Sequence, residues 1–398
     1  MPAESFDAIV VGARCAGATL AHALATAGAR VTMIDKDTFP SEVISTHFLF
    51  PNMVARLEQL GILDRVRARH TITPVTANYW MFGSHLEGGW TPIDGISTSL
   101  SLRRSVLDPA LIEAAVDAGA IGRFGERVAG VIGAGTDDSP VGGVIMEGGE
   151  ELRAPWVFGA DGRSSIVARS LGLTKRDPLH GGISLLYAYW RGFDNGGRLD
   201  FVARAGMALG SYPCEDDVHL VSISADPSFT SGSREERERA YARGIALFPE
   251  WLPPGAIERA TRISDVIAAP ETMLRGYYRP AAGPGWALAG DAGHFKHPAS
   301  AQGICDAIEQ ALWIAGALDG QGSLEGYERW RDERSADHYP FSFFFATIPP
   351  DEDGARLMAP LSRDAEATQD FFDSFSRLVS PNRIFARERL ARWFGDPA

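Results

Sequence analysis

The sequence predicts an α/β protein in which a parallel-sheet domain is interleaved with a mixed or antiparallel-sheet domain and followed by C-terminal helices. Apolar runs at 8–11, 156–160 and 284–290 are typical of parallel strands buried on both faces, and each leads into a glycine-containing turn. From about 180 to 268 the apolar runs alternate partly with polar residues, as in an antiparallel sheet with one face free.

The first apolar run is followed by the turn GARCAG at 12–17 and by a small, apolar helix over 19–24. Gly12 permits a tight turn, and Gly17 permits close packing of the helix. Arg14 stands where the dinucleotide-binding pattern usually has its middle glycine, which makes it a candidate contact for phosphate or adenosine.

The second strand, over 30–34, ends in an acidic residue. Asp35 lies 23 residues after Gly12, which is the spacing at which a carboxylate accepts hydrogen bonds from the ribose hydroxyls of adenosine. The strand, turn, helix, strand and acid together predict a nucleotide-binding βαβ unit.

The chain then returns to this unit between about 100 and 175. A helix is predicted over 105–118, a small ribbon over 128–132 and 144–146, and a buried strand whose end carries Asp161 in the tetrapeptide DGRS. A turn capped by an aspartate is an alternative explanation for Asp161.

Four strands are predicted next, and a third turn follows them. The strands cover 183–190, 199–203, 207–212 and 218–223. The apolar run over 284–290 leads into Asp291 of GDAGH, and a helix is predicted over 302–311.

The three turns GARCAG, DGRS and GDAGH lie 130 to 150 residues apart, in this order. They resemble the flavin-contacting segments of the para-hydroxybenzoate hydroxylase-like FAD-dependent oxidoreductases, the group A flavoprotein monooxygenases, near their halogenase and geranylgeranyl reductase-like branches. The resemblance implies a glutathione-reductase-type Rossmann FAD-binding domain from 1–75, 100–175 and 270–345. A substrate-binding sheet domain would comprise 76–99 and 176–269, with a helical segment at 346–398.

The resemblance also implies a set of FAD contacts. Asp291 would hold a ribityl hydroxyl, His47 would replace an arginine that the hydroxylases often use, and the amides near Gln302 would stabilise negative charge on the reduced ring. The implied contacts are Gly12, Ala13, Arg14, Ala16, Gly17, Asp35, Lys36, His47, Arg103, Arg104, Asp161, Gly290, Asp291, Pro298, Gln302, Gly303 and Ile304.

Two further groups of residues are candidates for the chemistry itself. Lys296 and His297 are the candidate catalytic groups, because the resemblance places their loop close to the flavin face; a solvated Lys-His pair is the alternative. The strands are expected to roof a substrate pocket, although strand aromatics also serve as core residues. The candidate substrate contacts are Tyr187, Tyr189, Phe201, Tyr212 and His219.

The resemblance implies a monooxygenase reduced transiently by NADPH or NADH, in which oxygen reaches a small aromatic or polyketide-like substrate through a flavin C4a-hydroperoxide. A separate flavin reductase is an alternative source of electrons. The sequence is also compatible with a geranylgeranyl reductase-like reductase or dehydrogenase, with a flavin-dependent halogenase, and with a flavin-binding protein without turnover. The halogenase motif Trp-x-Trp-x-Ile-Pro does not occur in the sequence.

The composition narrows the class of protein further. A net charge of −13 argues against a nucleic-acid partner, and the chain has no apolar stretch of the roughly 20 residues that a membrane span requires. We therefore expect a cytoplasmic protein. Cys15, Cys214 and Cys305 form no CxxC pair, and no metal-ligand pattern is complete, so neither a redox dithiol nor a metal site is expected.

Overall fold

The computed structural model describes residues 5–251 and 255–395. The strands are β1 Ala8–Val11, β2 Val31–Asp35, β3 Phe48–Leu49, β4 Thr76–Met81, β5 Ser84–Leu86, β6 Leu100–Ser101, β7 Ile121–Phe124, β8 Val128–Ile132, β9 Gly143–Met146, β10 Glu151–Arg153, β11 Trp156–Gly159, β12 Ser184–Arg191, β13 Arg198–Arg204, β14 Met207–Pro213, β15 Val218–Ala225, β16 Thr261–Arg262, β17 Ile267–Ala269, β18 Tyr277–Tyr278, β19 Ala282–Gly283, β20 Trp286–Leu288 and β21 His294–Phe295.

Helices connect and cover these strands. They are α1 Cys15–Thr26, α2 Pro51–Gln59, α3 Ile62–Arg67, α4 Arg104–Asp117, α5 Ile166–Ser170, α6 Pro227–Thr230, α7 Arg234–Ala246, α8 Ala256–Arg259, α9 Gly303–Gln321, α10 Tyr327–Ser335, α11 His338–Phe345, α12 Asp351–Arg363, α13 Ala365–Phe375 and α14 Arg387–Phe394. Short 3₁₀ helices occur at Gly162–Ser164, Pro249–Trp251, Glu271–Met273, Gly290–Ala292, Pro298–Ser300 and Pro381–Arg383.

A six-stranded sheet carries the three turns. Its strand order is β19-β20-β11-β1-β2-β7, and its strands are parallel except for β19. Helices α1, α4 and α9 pack on one face, and the antiparallel ribbon β8–β10 packs on the other. All three turns therefore follow the carboxyl ends of neighbouring strands, where open α/β sheets bind their ligands.

A second, eight-stranded sheet lies beyond these turns. Its strands run in the order β16-β12-β15-β14-β13-β4-β5, with β17 added at β12. The pair β13–β4 is parallel and the other pairs are antiparallel. The mixed α/β class is thus confirmed, whereas the exact domain limits remain a prediction.

The expectation of one free face on this sheet is wrong. Helix α7 covers that face and buries Ala240, Tyr241 and Ile245 against apolar residues of β12 and β15. The opposite face packs against the C-terminal helices, which contribute Phe345 of α11 and Phe375 of α13. Two layers of helices therefore enclose the sheet. Within the described parts of the chain, no helix is both long and apolar enough to span a membrane.

Candidate active site

The first turn is built by backbone approaches that exclude a side chain. Gly12 has a φ of +99°, and a Cβ there would lie 2.4 Å from the carbonyl oxygen of Ala160. A Cβ on Gly17 would lie 1.8 Å from the carbonyl oxygen of Gly12. Both glycines are therefore required by packing, and α1 begins directly after the turn, with its first amides at the carboxyl end of the sheet.

Asp35 closes the turn from the neighbouring strand. Its Oδ2 accepts a hydrogen bond from the Ala13 amide at 2.8 Å, and its Oδ1 accepts one from the Asp37 amide at 2.9 Å. Each carboxylate oxygen keeps a further lone pair, so these bonds are compatible with ribose hydroxyls. Lys36 is largely exposed and pairs with Asp37 at 3.3 Å.

Arg14 belongs to an ion-pair chain that the sequence did not predict. Its guanidinium donates to Asp37 at 3.0 Å and to Asp108 at 2.9 Å. Asp108 is completely buried and also accepts from Nε of Arg104 at 2.8 Å. The four-residue spacing of Arg104 and Asp108 on a helix was the available signal. Arg14 is thus paired with two carboxylates, and a contact from Arg14 to FAD remains a proposal.

Arg103 and Arg104 point to different parts of the site. Arg103 pairs with the completely buried Glu215, and its guanidinium carbon lies 5.7 Å from the ring centroid of Tyr189. The ion pair of Arg104 with Asp108, in contrast, lies beside the first turn. Of these two residues, Arg104 is therefore the better candidate for a flavin contact, and Arg103 stabilises the edge of the second sheet.

His47 is buried between the two arginines and the second sheet. It has a φ of 59°, and its Nε2 lies 2.5 Å from the hydroxyl of Tyr189. Burial, reinforced by the cations of Arg104 and Arg103, lowers the pKa of His47 to about 3. Its Nδ1 has no hydrogen-bond partner within the described residues. A neutral imidazole with an unused nitrogen is compatible with the predicted cofactor contact.

The second and third turns each present a carboxylate whose pKa is raised, and that of Asp161 is not fully satisfied by the protein. Asp161 Oδ2 accepts from the Ile166 amide at 2.6 Å, whereas its buried Oδ1 has no partner in the described part of the chain. Burial raises the pKa of Asp161. Burial also raises the pKa of Asp291 to about 6, although the cations of Arg163 and Arg104 oppose this shift.

Tyr277, in β18, and Arg279, directly after it, hold the second and third turns together. The Tyr277 hydroxyl donates to the carbonyl of Asp291 at 2.6 Å. Arg279 donates from one guanidinium nitrogen to the carbonyl of Ala292 at 2.6 Å and from another to the carbonyl of Arg163 at 3.3 Å. Tyr277 and Arg279 lie outside any recognised motif, so the sequence did not indicate this role.

Helix α9 begins beside the third turn. The Gly290 amide donates to Oε1 of Gln310 at 2.8 Å, which ties the turn to this helix. The Gln302 side chain faces the protein: its Nε2 donates to the carbonyl of Phe375 at 2.9 Å. A Cβ on Gly303 would have no protein atom within 4 Å apart from the helix's own backbone and chain neighbours, so Gly303 borders open space, whereas Ile304 is buried in the core.

Lys296 and His297 are both buried, so the alternative of a solvated pair is wrong. Lys296 Nζ lies 2.8 Å from a carboxylate oxygen of Asp306. Nδ1 of His297 accepts from the Ala299 amide at 3.1 Å, and burial lowers the pKa of His297 to about 4. Neither residue lines the cavity described next, so their proposed catalytic roles gain no support from its geometry.

A partly open cavity, of about 730 Å³ when the solvent at its mouth is included, lies between the second sheet, the loop before α9 and the C-terminal helices. Phe201 and Tyr212, two of the five predicted substrate contacts, line it, and so does Pro298, which was predicted to contact FAD. None of its lining residues among those described is an acid, a lysine, an arginine or a histidine. The lining residues are Thr46, Phe48, Phe50, Tyr79, Ile183, Leu185, Leu199, Phe201, Ala208, Gly210, Tyr212, Ser222, Ser224, Pro298, Ala299, Ser300, Ala301, Phe345, Ile348 and Phe375.

The other three predicted substrate contacts do not line this cavity. Tyr187 pairs with Ser222 across the sheet and shares its face with Tyr189, but both lie beyond the cavity wall. His219 lies on the opposite face, where it bonds to Ser211 at 2.9 Å and stacks on Phe193. Successive strand residues face opposite sides, so His219 is separated from the cavity by the sheet itself.

The site fits FAD on three observations. The first amides of α1 have no partner within the helix, Asp161 keeps an unsatisfied buried oxygen, and the exposed Gly303 at the start of α9 follows directly on the loop that lines the cavity. An extended dinucleotide whose ring lies at α9 would connect these features.

This placement makes Gly303 a test of the cofactor site. We expect Gly303→Ala to leave the apo-protein's thermal stability nearly unchanged and to weaken FAD binding about tenfold, because the added methyl enters the space next to the helix amides. Fluorescence titration of the apo-protein with FAD measures the affinity.

Gly316→Ala is the matched control in the same helix. A Cβ at Gly316 also has no atom within 4 Å, but Gly316 lies more than three turns further along α9. We expect this variant to be stabilised by about 1 kcal/mol with normal FAD affinity. Equal FAD affinities in the two variants would remove Gly303 from the cofactor site.

Comparisons with known proteins agree with this geometry. Residues 5–183 match the family described as FAD binding domain. A menaquinone reductase of Mycolicibacterium smegmatis is 25% identical over 85% of this chain and 82% of its own length. A rifampicin monooxygenase of Streptomyces venezuelae is 26% identical over 82% of this chain and 68% of its own.

Solved structures share the fold across almost the whole chain. A flavoprotein/dehydrogenase from Cytophaga hutchinsonii superposes with a TM-score of 0.77 at 18% identity, covering 98% of both chains. The flavin-dependent brominase Bmp2 superposes with a TM-score of 0.70 at 18% identity, covering 97% of this chain and 100% of its own.

With its FAD-binding domain and a flavoprotein fold over its length, the chain is a FAD-dependent oxidoreductase. Within that class it is similar in sequence and fold to proteins named as monooxygenases, reductases and a brominase, which agrees with the resemblance to the para-hydroxybenzoate hydroxylase-like superfamily.

Proposed function

We propose that this protein is a monooxygenase that inserts one atom of molecular oxygen into a neutral, largely apolar, ring-containing organic molecule. The observation that carries the proposal is the cavity: it is lined mainly by apolar and aromatic side chains and includes the loop that leads into α9, where the resemblance places the flavin ring. Oxygen transfer from a flavin needs such a water-poor pocket. Bound FAD supplies the two-electron redox chemistry and the reaction with oxygen.

The residues of this chain have separate tasks in the proposed reaction. Gly12 and Asp35 bind the adenosine end of the cofactor, and Asp161 and Asp291 bind its middle. The amides at the start of α9 face the ring, where their positive end stabilises negative charge. The cavity residues Phe201 and Tyr212 position the substrate by ring contacts and exclude water.

The lining indicates the charge of the substrate. The described lining contains no acid, lysine, arginine or histidine side chain. A carboxylate or ammonium group on the substrate would therefore be buried without a partner, and burying such a charge costs several kcal/mol. Hydroxyls of Ser222, Ser224 and Thr46 offer a few hydrogen bonds. A neutral polyketide-like or polycyclic molecule with isolated oxygen atoms therefore matches the cavity best.

NADPH or NADH is the proposed electron donor, with a separate flavin reductase as the alternative. A second candidate function is reduction or dehydrogenation of an apolar substrate without oxygen. The apolar lining supports this alternative equally, and proteins named menaquinone reductase are among the relatives. Halogenation is less well supported, since the fold similarity to Bmp2 is not accompanied by the Trp-x-Trp-x-Ile-Pro motif.

Stopped-flow oxidation distinguishes the two candidates. The photoreduced FAD protein is mixed with ¹⁸O₂ and a panel of neutral polycyclic phenols, polyketides and quinones. We expect a transient flavin absorbance that differs from both the reduced and oxidised forms, and one ¹⁸O atom in the product by mass spectrometry. A substrate that gains two hydrogens anaerobically from the reduced protein would instead establish the reductase.

A further inference from the structure

A cluster of five charged residues, of which Lys296, Asp306 and Arg377 are buried, lies at the first turns of α9. Asp306, in that turn, lies 2.8 Å from Lys296 Nζ and 2.5 Å from the guanidinium of Arg377. Arg377 also pairs with Glu309 at 2.7 Å, and Glu309 pairs with Arg334 at 2.9 Å. We call Lys296, Asp306, Glu309, Arg334 and Arg377 the α9 ion cluster.

The α9 ion cluster carries one more positive charge than negative charge. Three cations surround two carboxylates, so Arg377 and Arg334 are sufficient to balance Asp306 and Glu309. His294 and His338 pack nearby, but burial lowers their pKa values, that of His338 to about 3, so both are neutral at physiological pH. The excess charge is therefore formally that of Lys296, whose side chain is only 1% exposed.

The cluster is connected to both the cavity loop and the predicted flavin position. Arg377 Nε donates to Oε1 of Gln302 at 2.7 Å, and Gln302 precedes Gly303 at the start of α9. Ser300, which lines the cavity, is bonded through its carbonyl to Nε2 of Gln302 at 3.3 Å. The cluster is thus connected by hydrogen bonds to the residue that precedes the first turn of α9, where the positive end of the helix dipole lies.

Stability alone does not account for this arrangement. Removing a lysine from water costs several kcal/mol, and the ion pair with Asp306 compensates this cost only in part. Arg377 would pair with Asp306 even without Lys296. The buried lysine is therefore better explained by an effect on a bound group than by its contribution to folding.

We propose that the excess positive charge of the α9 ion cluster, located on Lys296, raises the reduction potential of the bound flavin. The inference rests on the proposed position of the FAD ring at the start of α9. Positive charge in a poorly screened environment favours the reduced, more negative form of the ring over the oxidised form. Lys296 thus acts on the flavin through its electric field, and not as an acid or base.

The experiment measures flavin properties of substrate-free holoprotein. Lys296→Met should give a more negative midpoint potential by anaerobic spectroelectrochemistry. It should also weaken sulfite binding about tenfold, because one positive charge is removed from a poorly screened environment. Sulfite adds to oxidised flavin and reports nearby positive charge. Lys296→Arg should keep both values close to wild type.

Arg334→Gln is the matched control for formal charge. It also leaves two cations and two carboxylates, but the Arg334 side chain is 40% exposed, so water screens its charge. We expect a clearly smaller shift than in Lys296→Met. Equal shifts in the two variants, or no shift in Lys296→Met with FAD bound, would overturn the inference.

Asp306→Asn tests the charge effect independently, because it should shift the flavin potential in the direction opposite to Lys296→Met. Loss of this carboxylate also removes the group that opposes the burial-lowered pKa of Lys296, so the measurement is made at mildly acidic pH, where Lys296 stays protonated. There Lys296 and Arg377 are less neutralised, so the potential should become more positive and sulfite should bind more tightly. A shift in the same direction as Lys296→Met would contradict the charge effect and indicate structural damage. A wild-type protein that fails to bind FAD would contradict the proposed function itself, which separates the two failures.

Discussion

Asp291→Ala is expected to produce folded protein that binds FAD about 10- to 100-fold more weakly than wild type. The backbone of Asp291 is held by Tyr277, and burial raises the pKa of the carboxyl to about 6. A hydroxyl donated by the cofactor would satisfy this carboxylate, and such a charged hydrogen bond contributes about 1.5–3 kcal/mol. Flavin absorbance per polypeptide and titration of the apo-protein give the affinity.

The pH dependence of the affinity identifies the atom responsible. A carboxyl with a raised pKa is ionised above about pH 6 and protonated below it, so wild-type FAD affinity should fall as the pH decreases through 6. Asp291→Asn should be weaker and nearly independent of pH over this range. Asp200→Asn, a buried carboxylate in the second sheet, is the control and should bind FAD normally. Full flavin content in purified Asp291→Ala would remove Asp291 from the site.

Local features of the site were predictable because they depend on neighbouring residues. Gly12 and Gly17 follow directly from the geometry of a strand–turn–helix, and Asp35 follows from the register of the next parallel strand. Helix α9 and Asp291 before it were predictable for the same reason, since they belong to one strand–turn–helix segment. These features belong to one βαβ unit or one turn, where chain spacing determines spatial distance.

The partners of these residues were not predictable from spacing. Glu215 binds Arg103 across 112 positions of sequence, and Asp108 joins Arg14 to Arg104 only once α4 packs beside α1. Arg377, from the segment after α13, reaches the start of α9 in the same way. Such contacts depend on how helices pack against each other, and the spacing of residues in a single sequence does not determine that packing.

The alternation of side chains between the two faces of a strand explains why one of the predicted substrate contacts lies on the wrong side of the sheet. Phe201 and Tyr212 face the cavity, whereas His219 is on the reverse face although all three lie on adjacent strands. A shift of one residue along a strand exchanges the two faces. Alternating polar and apolar residues identified the strands. Because α7 covers the second face of the sheet, apolar residues occur on both faces, and the sequence did not indicate which face lines the cavity.

Ala208→Trp is expected to abolish substrate turnover while leaving the cofactor bound. Ala208 lies in β14 and contributes to the cavity wall beside Gly210 and opposite the C-terminal helices. An indole there occupies space that the substrate needs, and a displacement of even about 1 Å from the reacting position lowers rates by about 100-fold. Overpacking should cost about 1–3 kcal/mol of stability. We therefore expect kcat/KM to fall by at least about 100-fold, with normal flavin content and an unchanged spectrum.

Met207→Trp is the matched control because Met207 is the preceding residue of the same strand and faces α7. It should show a similar loss of thermal stability but retain most of its activity. If both variants lose activity equally, the loss arises from distortion of β14. If Ala208→Trp turns over substrate normally, the cavity is not the substrate site, and the reacting molecule must reach the flavin ring by another face of the protein.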